Sequence, residues 1–128
     1  MSTEVLERTA LYLDNLGLLS GYSPRYHRWH DDDLNQNTPV AVFRHTGDGN
    51  SDTFKQEYDV TITLLAASIS NTVAVGDAAT AIVKAFRGTG TVAGVIKFEM
   101  LGNQQGPFYL ENDRPLYQIN VRVFTEDQ

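Results

Sequence analysis

From Arg114 to Thr125 apolar and polar side chains alternate almost without a break. Tyr117, Ile119, Val121 and Val123 fall on one side, and Gln118, Asn120 and Arg122 on the other. Successive Cβ atoms leave opposite faces of a pleated strand, so this period of two predicts a strand with one buried and one wet face. Burying its four apolar residues is worth roughly 1.5–3 kcal/mol each before chain entropy is subtracted, which favours a place in the middle of a sheet. Pro115 lacks an amide hydrogen and belongs at the strand's first residue or on an edge.

The rest of the chain shows both periods. Val5, Leu6, Ala10, Leu13 and Leu16 recur at three- and four-residue steps behind Ser2 or Thr3 as a cap, which predicts an amphipathic helix ended by Gly17 or Gly21 in the left-handed conformation. Gly21 to Thr38 has no sustained period and reads as a long loop. Val40 to His45 predicts a short strand, the turn-rich run Thr46–Thr53 a hairpin connection, and Glu57 to Leu65 the return strand, with Tyr58, Val60, Ile62 and Leu64 on its apolar face. Val75, Ala79, Ile82 and Phe86 step by four, three and four along a second helix that Gly88 ends. Val92 to Met100 predicts a third long strand, with Ile96, Phe98 and Met100 inward and Lys97 and Glu99 outward. Gly102 to Asp113 reads as a second polar loop.

These elements predict an α+β fold: a single, mainly antiparallel four-stranded sheet with two helices packed on one face. The other face, carrying Asp59, Thr61, Thr63, Lys97, Glu99, Gln118, Asn120 and Arg122, is predicted to be polar and to meet water or a polar partner. At 128 residues the chain suits a single domain, residues 1–128.

Charge and composition narrow the function. Sixteen acidic against ten basic side chains give a net charge of −6, which disfavours a general phosphate-binding surface. Cysteine is absent, so disulfides, thiolate chemistry and cysteine-ligated zinc are excluded together. No run approaches the ~20 apolar residues of a membrane span, and the opening Met-Ser-Thr-Glu lacks the basic start of a secretion signal, so the expectation is a soluble intracellular protein.

The candidate chemistry is thin. His27, His30 and Asp31 to Asp33 are metal-ligand types, but a structural zinc site uses four protein ligands and a catalytic one three, and no second cluster completes the set; a solvated polar loop is expected, with no metal and no cofactor. Thr46-Gly-Asp-Gly-Asn-Ser lacks the lysine of a phosphate loop and the twelfth-position glutamate of a calcium loop. Serine, histidine and aspartate have no nucleophile-elbow context, so no hydrolase triad and no enzyme is expected. Tyr22, Tyr26 and Trp29 beside Arg25 and Arg28 can stack bases, yet aromatics with arginine also anchor protein interfaces, and the acidic total favours the interface. Phe54, Phe108 and Tyr109 are apolar groups in polar loops, and with Trp29 and Arg114 they form the candidate protein–protein contacts. Asp48, Gly49, Asn50, Ser51 and Asp52 form a candidate flexible loop that orders on assembly.

Three stretches carry a family resemblance. They are the first helix leading to Val40-Ala-Val-Phe-Arg and its Gly/Asp-rich turn; Tyr58-Asp-Val-Thr-Ile-Thr-Leu followed by the alanine-rich helix ending Phe86-Arg-Gly; and Pro107-Phe-Tyr-Leu-Glu-Asn-Asp-Arg-Pro-Leu-Tyr-Gln-Ile-Asn-Val-Arg-Val. In size, element order and these stretches the chain resembles the tail terminator (minor tail, tail completion) proteins of long-tailed bacteriophages and prophages. The resemblance implies a non-enzymatic virion protein, made in the host cytoplasm, that assembles as a homo-hexameric ring on the tail tube. There it stops tube growth and meets the head–tail connector protein, while DNA passes through its lumen without specific binding. Phe54, Phe108, Tyr109 and Arg114 are then expected at ring or tube contacts. The rival expectation is a small-molecule-binding or regulatory α+β domain with its ligand between Trp29 and the sheet.

Overall fold

The computed structural model describes residues 3–26, 39–45, 57–110 and 113–125. Within them the chain runs α1 (Thr3–Asn15), β1 (Ser23–Tyr26), β2 (Val40–His45), β3 (Glu57–Leu65), a 3-10 turn (Ile69–Asn71), α2 (Thr72–Arg87), β4 (Val95–Met100), β5 (Gln105–Tyr109) and β6 (Pro115–Thr125). The sheet is mixed and six-stranded, in the order β1-β2-β3-β6-β4, with β5 also on β6. The α+β class and the two helices on one face stand, but the four-stranded antiparallel sheet is corrected. Two short edge strands were hidden in the predicted loops, and β1 pairs parallel to β2.

The strand expected at the centre is there. β6 pairs antiparallel with β3 along nine residues, Leu116 to Phe124 against Leu65 to Glu57. Its other edge is shared end to end: β4 takes the Val121–Thr125 half and β5 the Pro115–Gln118 half. Between them the Leu101 amide donates to the Asn120 carbonyl at 3.0 Å, so the edge stays satisfied across the junction. An eleven-residue strand is about 36 Å long, enough for two five- or six-residue partners in line.

The helices cover one face because their apolar stripes match it. Val5, Leu6, Ala10 and Leu13 of α1 and Val75, Ala79, Ile82 and Phe86 of α2 are buried in one cluster with Ala41, Phe43, Val60, Ile62, Leu64, Ile119, Val121 and Val123. Leu16 does not join the α1 stripe; it is 53% exposed, because the helix ends at Asn15. Gly17 has φ 74°, its amide bonds the Asp14 carbonyl, and the Leu18 amide bonds that of Leu13. This paired closure satisfies carbonyls the helix leaves open and is the left-handed stop expected of Gly17. Gly88 ends α2 in extended backbone instead. A stack of Tyr12, Phe86 and Phe98 joins α1, α2 and β4, with ring centroids 4.7–5.8 Å apart, and the Tyr12 hydroxyl donates to the Ala85 carbonyl at 2.9 Å.

β4 begins three residues later than expected and carries a bulge. Val95 pairs with Thr125 and Lys97 with Phe124, so Ile96 is the extra residue. Val95 and Phe98 point inward and Ile96 is 59% exposed, the reverse of the side expected for Ile96. The second sheet face is drier than its polar sequence suggested. Thr61 and Thr63 are buried, and Val40, Val42, Leu65 and Leu116 form a small apolar cluster against Leu110. The polar groups there bond across strands, Thr61 Oγ1 to Asn120 Oδ1 at 2.8 Å and Arg122 Nε to Asp59 Oδ1 at 2.8 Å.

Candidate assembly surfaces

β5 is the more exposed of the two edge additions: all five of its residues face solvent. Pairing Phe108 with Leu116 and Tyr109 with Pro115 puts the two aromatic rings on opposite faces of the sheet edge, 48% and 50% exposed. Two large rings held on a paired strand are preorganised, which lowers the ordering cost of any contact they make. Gly106, at φ 140°, allows the close approach to β6, since a Cβ there would lie 2.8 Å from the Leu116 carbonyl oxygen and 3.0 Å from the Tyr117 ring.

Arg114 lies in the connection between β5 and β6 but is turned inward. Only 2% exposed, it donates from Nε to the Ala66 carbonyl at 2.9 Å. The Ala66 amide bonds the Pro115 carbonyl and the Leu110 amide bonds the Arg114 carbonyl. The guanidinium therefore ties the end of β3 to the start of β6. In the isolated subunit its side chain is buried, unlike those of Phe108 and Tyr109.

A groove runs between α1 and the opposite edge of the sheet. Glu7, Ala10, Leu11 and Asp14 form its helical wall, Leu19 and Tyr22 its floor, and Pro24 and Tyr26 of β1 the far wall, enclosing about 260 Å³. Burial holds the Tyr22 phenol above its ordinary pKa. Burial, then the Glu7 and Asp14 carboxylates, do the same for Tyr26. Both carboxylates therefore project their negative potential onto one aromatic wall. A second cavity of about 230 Å³ lies beside it, lined by Ser20, Gly21, Tyr22, Pro39, Ala66, Ala67, Asn71, Ala74 and Val75.

Among the described residues β1 ends the strand order, and its outer edge resists strand addition. The Ser23 amide turns inward to the Pro39 carbonyl, so Pro24 has its backbone groups on the outer edge, where it has no N–H to offer and its carbonyl accepts from Arg25 Nη1 at 3.1 Å. Contacts here fall to side chains. The aromatic reading of Tyr22 and Tyr26 pointed at this groove. The part of Glu7 and Asp14 was not legible, because on a helical pattern they look like an ordinary solvated face.

Trp29, Phe54 and the loop residues Asp48, Gly49, Asn50, Ser51 and Asp52 lie outside the described residues, as do His27, His30 and Asp31 to Asp33. Among the described residues no three His, Asp or Glu side chains are gathered as metal ligands, and no helix is long and apolar enough to cross a membrane.

A family model described as phage tail termination protein matches residues 2–127. The chain belongs to that family. It is therefore a structural protein of the phage tail, a component of the virion and not an enzyme. Membership implies contacts with other tail and head–tail junction proteins. Among solved structures it is similar to the bacteriophage SPP1 gp17 protein, 11% identical, with 96% of this chain and 89% of that one covered and a TM-score of 0.53. At that identity the likeness shows the fold alone. No curated protein matches the chain.

Proposed function

We propose that the chain caps the phage tail tube as a ring, stopping tube polymerisation and forming the tail side of the head–tail junction. The carrying observation is the family match over residues 2–127, nearly the whole chain, which supports reading residues 1–128 as one tail-terminator domain. The physical layout fits that work. A ring of identical subunits needs a heterologous contact whose rotation closes, and thus two different patches on one subunit. The β5 aromatics and the α1–β1 groove are two such patches, at opposite edges of one sheet.

In this reading six copies close the ring on the last tier of the tail tube protein, and the opposite surface of the ring receives the head–tail connector protein. Phe108 and Tyr109 make ring or tube contacts, and Trp29, Phe54 and the Asp48–Asp52 loop add to them on assembly. The subunit is made in the host cytoplasm and can remain monomeric until the tube supplies a template, since binding to the tube stabilises the assembled state by mass action. The net charge of −6 suits a conduit that DNA crosses without its phosphates being held. Tails made without this chain, viewed by electron microscopy, are expected to be overlong, variable in length and free of heads, with normal length restored by supplying the chain. Unchanged tail lengths and normal head attachment refute the proposal.

A further inference from the structure

Resting on the ring reading, we propose that the anionic aromatic groove between α1 and β1 receives the basic last turn of α2, Lys84 and Arg87, from the next copy of the chain. The groove is built as a receptor for a cation with an aliphatic stem. Glu7 and Asp14 stand seven residues apart on one helical flank, with Leu11 between them 46% exposed, and Tyr22 and Tyr26 line the groove with them. Carboxylates satisfy a guanidinium or ammonium directly, and tyrosine rings attract it through their negative faces. Ala10, Leu11 and Leu19 supply apolar surface for the methylenes of the stem. The Tyr26 phenol is raised by burial and then by Glu7 and Asp14, in keeping with two carboxylates that line the same groove.

The proposed occupant lies on the other flank of the same helical layer. Lys84 and Arg87 are the basic residues in the last turn of α2, and both are exposed. Arg87 lies exposed against the connection after β4, where Nη2 donates to the Gly102 carbonyl at 3.3 Å and to Asn103 Oδ1, surface bonds that it would exchange for the groove carboxylates. The groove is walled by β1, at one end of the strand order, and the α2 turn lies by the connection after β4, at the other end, so the two patches sit by opposite sheet edges, as neighbours in a side-by-side ring require. The proline on the outer edge of β1 points the same way, because it disfavours strand pairing there and leaves contacts to side chains. An anionic groove on one flank and a cationic turn on the other is the complementarity a head-to-tail contact requires.

Charge reversal tests this with the full-length chain on tail tubes, ring-capped tubes being counted by electron microscopy. Glu7→Lys with Asp14→Lys, and separately Lys84→Glu with Arg87→Glu, are each expected to lower the capped fraction by about tenfold or more, since like charges then face each other. All four changes in one chain restore the contact with its polarity exchanged, and capping returns. An equimolar mixture of the two reversed chains also caps, because each groove then meets an opposite charge. Far-UV circular dichroism and the denaturation midpoint confirm that each variant is folded; should a reversal unfold the chain, Glu7→Gln with Asp14→Asn is expected to weaken capping in the same direction. Normal capping by the reversed chains, or failure of both rescues, overturns this contact while the ring reading stands. Intact rings that no longer attach to tubes also overturn it, assigning the groove to the tube protein. Absence of rings from the unaltered chain on tubes refutes the ring reading itself.

Discussion

Arg114 offers the sharpest test of how burial reassigns a residue. Its polar sequence neighbourhood, Asn-Asp-Arg-Pro, suggests a side chain offered to a partner, whereas the structure buries it against the Ala66 carbonyl. Truncation by Arg114→Ala removes a hydrogen bond from a charged donor, a loss of about 1.5–3 kcal/mol. It also removes two buried methylenes at about 0.8 kcal/mol each. Freed rotamer entropy gives back up to about 2 kcal/mol, so the net cost to the isolated subunit is about 1–3 kcal/mol. With a urea m-value of about 1–3 kcal/mol/M, the midpoint should fall by about 1 M at unchanged slope, read by circular dichroism. Arg114→Lys should recover only part of this, because an ammonium cannot reproduce the guanidinium's rigid fork. A midpoint within about 0.2 M of the unaltered chain, accompanied by loss of assembly, would refute the structural role and return Arg114 to the interface.

Other perturbations separate folding from assembly. Phe108→Ala with Tyr109→Ala, at half-exposed positions, should change subunit stability by no more than about 0.5 kcal/mol. The same pair should weaken ring or tube binding by about 1–2 kcal/mol, measured by co-sedimentation with tail tubes. Gly106→Ala should destabilise the subunit by about 1–3 kcal/mol, since its Cβ would press on the Leu116 carbonyl and the Tyr117 ring at a φ that L residues avoid; thermal unfolding reads the shift. Tyr12→Phe, which loses the bond to the Ala85 carbonyl, should cost about 1 kcal/mol in the same assay. Deleting Gly47 to Ser51 should leave a folded subunit by circular dichroism and impair tail assembly.

What the sequence reveals and conceals follows from where the determining interactions lie. β6 and β3 are legible because each buries one face, so alternation is written into Tyr117, Ile119, Val121 and Val123 and into Val60, Ile62 and Leu64. α1 and α2 are legible for the same reason at helical spacing. β1 is not, since Ser-Pro-Arg-Tyr is four residues with a proline and owes its extended form to a distant parallel partner. β5 carries no burial signal at all, because both its faces meet solvent. Ile96 looks like a core residue until the bulge turns it out, and a bulge depends on how β4 meets β6. Of the candidate contact residues, Phe108 and Tyr109 are exposed as their polar setting implied, while Arg114 is not. The groove brings together residues from α1 and β1, so only the folded chain assembles it.

The most direct measurement is the position of this chain in a finished tail. Cryo-electron microscopy of intact tails carrying a labelled copy should place it in a single six-fold ring at the head-proximal end of the tube, and nowhere along the shaft. Label distributed along the tube, or confined to the distal tip, would contradict the account.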